Sequence, residues 1–232
     1  MDQAFVSVSV KAADKNGHGC STRKKETKTM SDQPISFRFN AKKAAQAAYK
    51  LLTLSGGERN YMELIKLLYL SDREALLKLE SQITGDRLVA LPYGPVLSHV
   101  LDLIRNGPTN EEDAPWFEAV SPPCGYRVKA LANCGEDELS GAECQILDEV
   151  FAEYGRKDWK ELSNLTHKLP EYVDPKGSCI PISPEQILKL EGKSQNTIER
   201  IRNEISSYEV LDRELSAYQG QEFEISPEMM SA

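Results

Sequence analysis

Three histidines, five cysteines and a charged pair set into an apolar helix are the groups in this chain with chemistry to offer. His99 stands three residues before Asp102, so on a helix the two share a face. That is the arrangement of a general base with its orienting carboxylate, although a surface hydrogen bond is the plainer reading. His167, in "LTHKLPEY", falls at a helix end, where an imidazole meets free carbonyls and the negative end of the dipole. Together with Asp72, these histidines would make a hydrolase or transferase only if the fold brought all three to one pocket.

Asp72 and Arg73 lie among leucines in "KLLYLSDREALL". A charged pair there is costly if buried without partners. Downstream, Thr84, Gly85 and Asp86 of "ITGD" form a natural turn whose aspartate can accept backbone N–H bonds. Two readings follow. In one, Asp72 or Arg73 clasps this turn against the helix. In the other, Lys66, Asp72, Arg73, Asp86 and Tyr93 line a polar recognition surface. The chemistry favours the clasp, because structural networks often imitate sites.

Other signatures of catalysis are missing. "SGG" at 55–57 is too short for a phosphate loop and follows a helix, and there is no GxSxG or HExxH. Cysteines at 20, 124, 134, 144 and 179 are odd in number and unpaired as CxxC, which reads as reduced thiols. The even spacing of Cys124, Cys134 and Cys144 suggests zinc, but no histidine joins them at ligand spacing. Neither a metal nor a cofactor is expected.

The elements that must position these groups are mostly helices. Asn40 caps a helix to about Leu54, and Asn60 with Glu63 resembles a capping box for a second, about 61–80. Gly94-Pro95 is expected to open a third helix, ending at Gly107. "WFEAVSPPCGYRVKALA" reads as two short strands about a turn. Ser140 with Glu143 and Asp158 with Glu161 are further capping boxes, and Ser183 opens another helix. Last comes a helix over 193–219 with Ile198, Ile201, Ile205, Tyr208, Leu211, Leu215 and Tyr218 at near-heptad spacing. It reads as a helix packed on its own domain, or as a dimer or partner-docking helix. The fold class expected is mainly α: a compact multi-helix domain with a small β-hairpin or sheet and a C-terminal amphipathic helix.

Residues 1–33 are polar, and within 1–29 six Lys or Arg face three Asp or Glu. They read as a flexible basic segment, and 220–232 as a flexible tail. Met30, directly before "SDQPISFRFN", offers an alternative start. The helical domain spans 34–192. A net charge of −8 disfavours broad nucleic-acid binding, which relies on Lys and Arg, and suits a basic protein partner. No apolar run is long enough for a membrane helix and no secretory signal is evident, which reads as cytoplasmic.

The stretch "KLLYLSDREALLKLESQITGDRLVALPYGPV" resembles the signature of the Panacea domain, the SocA-like antitoxin family also met as phage-associated proteins. The matching segments are Lys66 to Asp72, Ile83 to Asp86, and Ala90 to Val96, with Tyr93, Gly94 and Pro95 in the last. "ELSNLTHKLPEY", which holds His167, resembles the family's second motif. The resemblance covers roughly residues 40–190. The chain departs from it in the linker before "ITGD", in the insert around Cys124, and in the helix after 194. It implies a mainly helical, non-enzymatic antitoxin of a toxin-antitoxin system that neutralises a protein toxin, often encoded next door. Neutralisation would be by sequestration, or as an adaptor that delivers the toxin to the ClpXP protease. A general interaction module of a mobile element or phage is the alternative. For the antitoxin, the hairpin around Cys124 or the C-terminal seam, Ile198 to Leu215, would supply the toxin contacts, and a homodimer is a second use for the seam.

Overall fold

The structure, a computed structural model, describes residues 34–132 and 134–219. The basic segment 1–33, with Cys20, and the tail 220–232 lie outside the described residues, as does the side chain of Tyr218. Asn40 accepts from the Lys43 N–H and opens α1, Ala41–Leu54. Its small residues Ala44, Ala47 and Ala48 are fully buried, which lets neighbouring helices approach closely.

A three-residue strand, β1 (Glu58–Asn60), leads into α2, Tyr61–Leu79. Asn60 caps α2 through the Met62 N–H, but the expected partner Glu63 turns away to Arg59, 3.0 Å distant. The capping box is therefore half formed. Leu64, Leu67, Leu68, Tyr69 and Leu76 of α2 are buried, and so are Lys66, Ser71, Asp72 and Arg73. A helix buried on nearly every side is the centre of its domain. α1 lies beside it, together with α5 (Gly141–Tyr154), α6 (Trp159–Thr166) and α7 (Pro184–Leu190). Both α5 and α6 open with the capping boxes expected at Ser140/Glu143 and Asp158/Glu161.

Gly94-Pro95 does not open a helix. Gly94–Leu97 is a strand, β3, paired antiparallel with β2 (Leu88–Leu91), and the third helix, α3, begins at Ser98 and runs to Asn106. The φ that proline fixes suits an edge strand as well as the first turn of a helix. Here Pro95 sits on the edge of the order β3-β2-β5, where β5 is Ile180–Ile182. Gly94 has φ +94°, which lets the chain reverse after only Pro92 and Tyr93.

The expected hairpin at 116–132 is also corrected. Its first arm is a helix, α4 (Ala114–Ala119), preceded by a 3-10 turn whose Asn110 and Asp113 cap each other reciprocally. Its second arm, β4 (Arg127–Lys129), pairs with β1, and the expected turn survives only as antiparallel bridges, Val120 to Ala130 and Cys124 to Arg127. Trp116 is buried in the core from this helix. The cap and Pro115 were the signals that decided it.

The last helix, α8, is Gln195–Gln219. Ile198 and Ile201 are in the core and Ile205 packs against it, whereas Tyr208, Leu211 and Leu215 are exposed. Among the described residues, no helix is long and apolar enough to cross a membrane.

Candidate functional site

Lys66, Tyr69 and Arg73 are three, then four, residues apart and share one side of α2, while Asp72 lies about 100° round the helix from Arg73. The neighbouring pair therefore serves two different neighbourhoods.

On the Asp72 side, the carboxylate accepts from the N–H of Ile83 at 3.0 Å, the N–H of Thr84 at 2.9 Å, and the Thr84 hydroxyl. Full burial pushes Asp72 up to about 7, against the pull of those donors. Thr84 Oγ1 in turn accepts from the Asp86 N–H at 3.1 Å. Asp86 then accepts from the N–H groups of His99 at 2.9 Å and Val100 at 2.8 Å, the free donors at the start of α3. Burial raises Asp86 as well, opposed by these backbone donors. Gly85 has φ +67°, and a Cβ there would stand 2.1 Å from the Arg38 carbonyl oxygen. The turn is thus strapped to α2 by one aspartate and straps α3 by another.

On the other side, Arg73 reaches the second motif. Its Nε donates to Glu171 at 2.8 Å and its Nη2 to Glu191, while the Tyr69 hydroxyl donates to the same Glu171 oxygen at 2.8 Å. Burial works against the Arg73 charge, but Glu171 and Glu191 outweigh it and hold the guanidinium above its usual range. Burial, with Glu171 beside it, drives the Tyr69 phenol well above its usual range. Glu171 was missed in the sequence; its place in "PEY", next to the motif histidine, was the available signal.

Lys66 lies 2% exposed beneath the β2–β3 turn and donates to the Pro95 carbonyl at 2.6 Å. Burial pulls it down to about 7. A Cβ on Gly94 would stand 2.8 Å from Lys66 Nζ, 2.7 Å from Thr166 Oγ1 and 3.3 Å from His167 Cδ2. The Gly-Pro of the first motif and the Thr-His of the second therefore touch. Ser163 donates to the Tyr93 carbonyl at 3.0 Å, and Tyr172 to the Leu91 carbonyl at 3.1 Å. Tyr93 itself is exposed and meets Trp159 edge-on.

The histidines do not converge. His99 Nε2 lies 2.9 Å from Asp113, not Asp102, and its ring packs on Phe39. Burial works against ionisation of Asp113, but hydrogen bonds from His99 and Thr109 outweigh it and hold the carboxyl at about 2. His167 caps α6, donating its N–H to the Ser163 carbonyl, and its ring packs on Tyr172. Its Nε2 is buried and meets no hydrogen-bond partner among the described residues. Asp72 is occupied by Ile83 and Thr84. The three members of the hydrolase reading thus sit in separate contact sets. Among the described residues, no group of three or more His, Cys, Asp or Glu could hold a metal, and Cys124, Cys134, Cys144 and Cys179 are free thiols.

The Asp72 strap, the Arg73–Glu171 pair and the Gly94 contact join residues of the "KLLYLSDRE…GPV" stretch to each other or to "LTHKLPEY". The span that holds them carries a family signature. Residues 64–172 match the antitoxin SocA-like family, Panacea domain. Comparison with curated proteins returned no match, and neither did comparison with solved structures. The Panacea match runs from Leu64 on α2 to Tyr172 on the aromatic cover of His167. It stops short of Glu191 and of all α8. The network around Arg73 therefore ties the Panacea region to the segment that launches α8.

Proposed function

We propose that this protein is an antitoxin that binds a protein toxin through surfaces carried on the Panacea scaffold. The observation that carries this is the match of residues 64–172 to an antitoxin family. It fits the way the motif residues are spent: Asp72, Thr84, Asp86, Arg73 and Lys66 hold elements to one another and face inward. Such a scaffold leaves recognition to what it displays. The exposed part of α8, with Tyr208, Leu211 and Leu215, is one such display, and the Tyr93–Trp159 pair above Lys66 is another. Neutralisation is by sequestration, or by delivery of the toxin to a protease such as ClpXP. The role is non-catalytic.

Co-expression with the small gene encoded beside it is the test. Growth should be restored when this protein accompanies the toxic product, and co-purification should recover a complex. Loss of toxicity with a shortened toxin half-life that returns in a ClpXP-deficient strain would select delivery; an unchanged half-life would select sequestration. Failure to rescue growth from that neighbour would favour a general interaction module of a mobile element.

A further inference from the structure

A groove of about 790 Å³ lies between the middle turns of α8, the C-terminal end of α2 and the chain at 36–38. The floor is apolar: Phe37, Leu79, Ile201 and Ile205. Tyr208 stands on its wall at 70% exposure, and Leu211 and Leu215 carry the apolar face onward at 49% and 52% exposure. The rim is acidic. Glu80, Glu204, Glu209 and Asp212 line it against Arg38 and Arg213. Glu80 and Glu204 share Arg200, and Arg38 lies 4.0 Å from Glu112 outside the groove, so the open stretch of α8 presents Glu209 and Asp212 to solvent beside Arg213 alone.

We propose that this groove takes a basic amphipathic helix of a partner protein, its apolar ridge on Phe37, Ile205, Tyr208 and Leu211 and its Lys or Arg side chains against Glu209 and Asp212. The proposal rests on the antitoxin reading and names the chemistry of the partner segment. A second copy of this chain is the other natural occupant of an open helical seam, but it fits poorly. From Glu204 to Leu215 the helix carries four carboxylates, Glu204, Glu209, Asp212 and Glu214, against one arginine, Arg213. Pairing two such stretches would set like charges together at the flanks, where coiled coils place opposite ones. A helix laid in an apolar groove with basic flanks satisfies both the floor and the rim.

The probe is a labelled 14-residue Leu/Lys amphipathic helix, with a Leu/Glu helix of the same pattern as control, titrated with the full chain and followed by fluorescence anisotropy. The Leu/Lys peptide should bind and the Leu/Glu peptide should bind at least about tenfold more weakly. The double variant Glu209→Lys/Asp212→Lys should weaken Leu/Lys binding about tenfold, and Tyr208→Ala/Leu211→Ala likewise. Glu118→Lys/Glu153→Lys, which reverses the same charge on exposed sites away from the groove, should leave it unchanged. Equal binding of the two peptides, or equal loss in the remote variant, would overturn the proposal. So would a dimer in sedimentation that dissociates in Leu211→Lys, which assigns the face to a second copy. Tighter peptide binding after removal of residues 1–33 would overturn it too, assigning the groove to that basic segment. Since the readout is binding in vitro, a protein that rescues growth but ignores the peptide fails here and leaves the antitoxin reading standing.

Discussion

Lys66 sits among buried side chains with a single carbonyl for company, and that sets a pH dependence. Its folded value, about 7, lies below the ordinary 10.5. Between those values the unfolded chain binds a proton that the folded chain does not, so stability is fully present above 10.5 and is lost as pH falls towards 7. Chemical denaturation at pH 7 and pH 9.5 should show the higher midpoint at pH 9.5, with Lys66 contributing up to about 3 kcal/mol of the difference. Lys66→Met should remove that contribution and gain about 1–2 kcal/mol at pH 7, as replacing a buried charge by an apolar side chain often does. A pH slope unchanged in the variant would show that Lys66 is not its source. Gly85 is tested more simply. Its φ of +67° and the Arg38 carbonyl leave no room for a methyl, so Gly85→Ala should cost more than about 2 kcal/mol.

At the scale of elements, the buried Arg73–Glu171 pair couples the central helix to the second motif, and Asp86 couples the "ITGD" turn to α3. Removing one member of a buried pair leaves the other charge uncompensated, so Arg73→Met or Glu171→Gln should each cost about 3–5 kcal/mol. The double variant should recover much of that loss, and a denaturant double-mutant cycle measures the coupling; additive losses would show that the two act separately. Asp86→Ala frees two N–H groups at the start of α3 and should cost about 1–2 kcal/mol. The Asp72 strap was legible in the sequence because both its parts, an aspartate among leucines and a Thr-Gly-Asp turn, lie within one short stretch. Arg73 was not legible in the same way. Its partners, Glu171 and Glu191, are about a hundred residues off, and spacing along one helix says nothing about them. The strand at Gly94-Pro95 was missed for a related reason: proline has the same φ at an edge strand and at a helix start, and only the pairing with β2 chooses.

For the whole molecule, α8 belongs to two neighbourhoods. Cutting the chain after Lys193 would remove Ile198 and Ile201 from the core and should cost about 4 kcal/mol or more. Cutting after Ser207 removes turns of α8 whose described side chains, Tyr208 to Leu215, are exposed, and thermal unfolding should barely change. The shorter deletion is thus the one that separates partner binding from folding: it should abolish toxin neutralisation if α8 is the docking face, at unchanged melting temperature. Full neutralisation by that truncated chain, at matched expression, would move the partner face to the Tyr93–Trp159 surface.

The sequence by itself determined the helical class, the helix ends that carry caps, the clasp between Asp72 and the turn at Thr84, and the resemblance to the Panacea domain. These depend on near neighbours along the chain, where periodicity and capping chemistry operate within a few residues. Only the tertiary structure decided that Arg73 answers to Glu171, that Gly94 presses on Lys66, Thr166 and His167, and that His99 turns to Asp113 rather than Asp102. It also divided the C-terminal seam into a buried and an exposed half. Burial of a given turn depends on what the rest of the chain brings against it, and a repeat of apolar positions is the same whether a neighbour covers it or not.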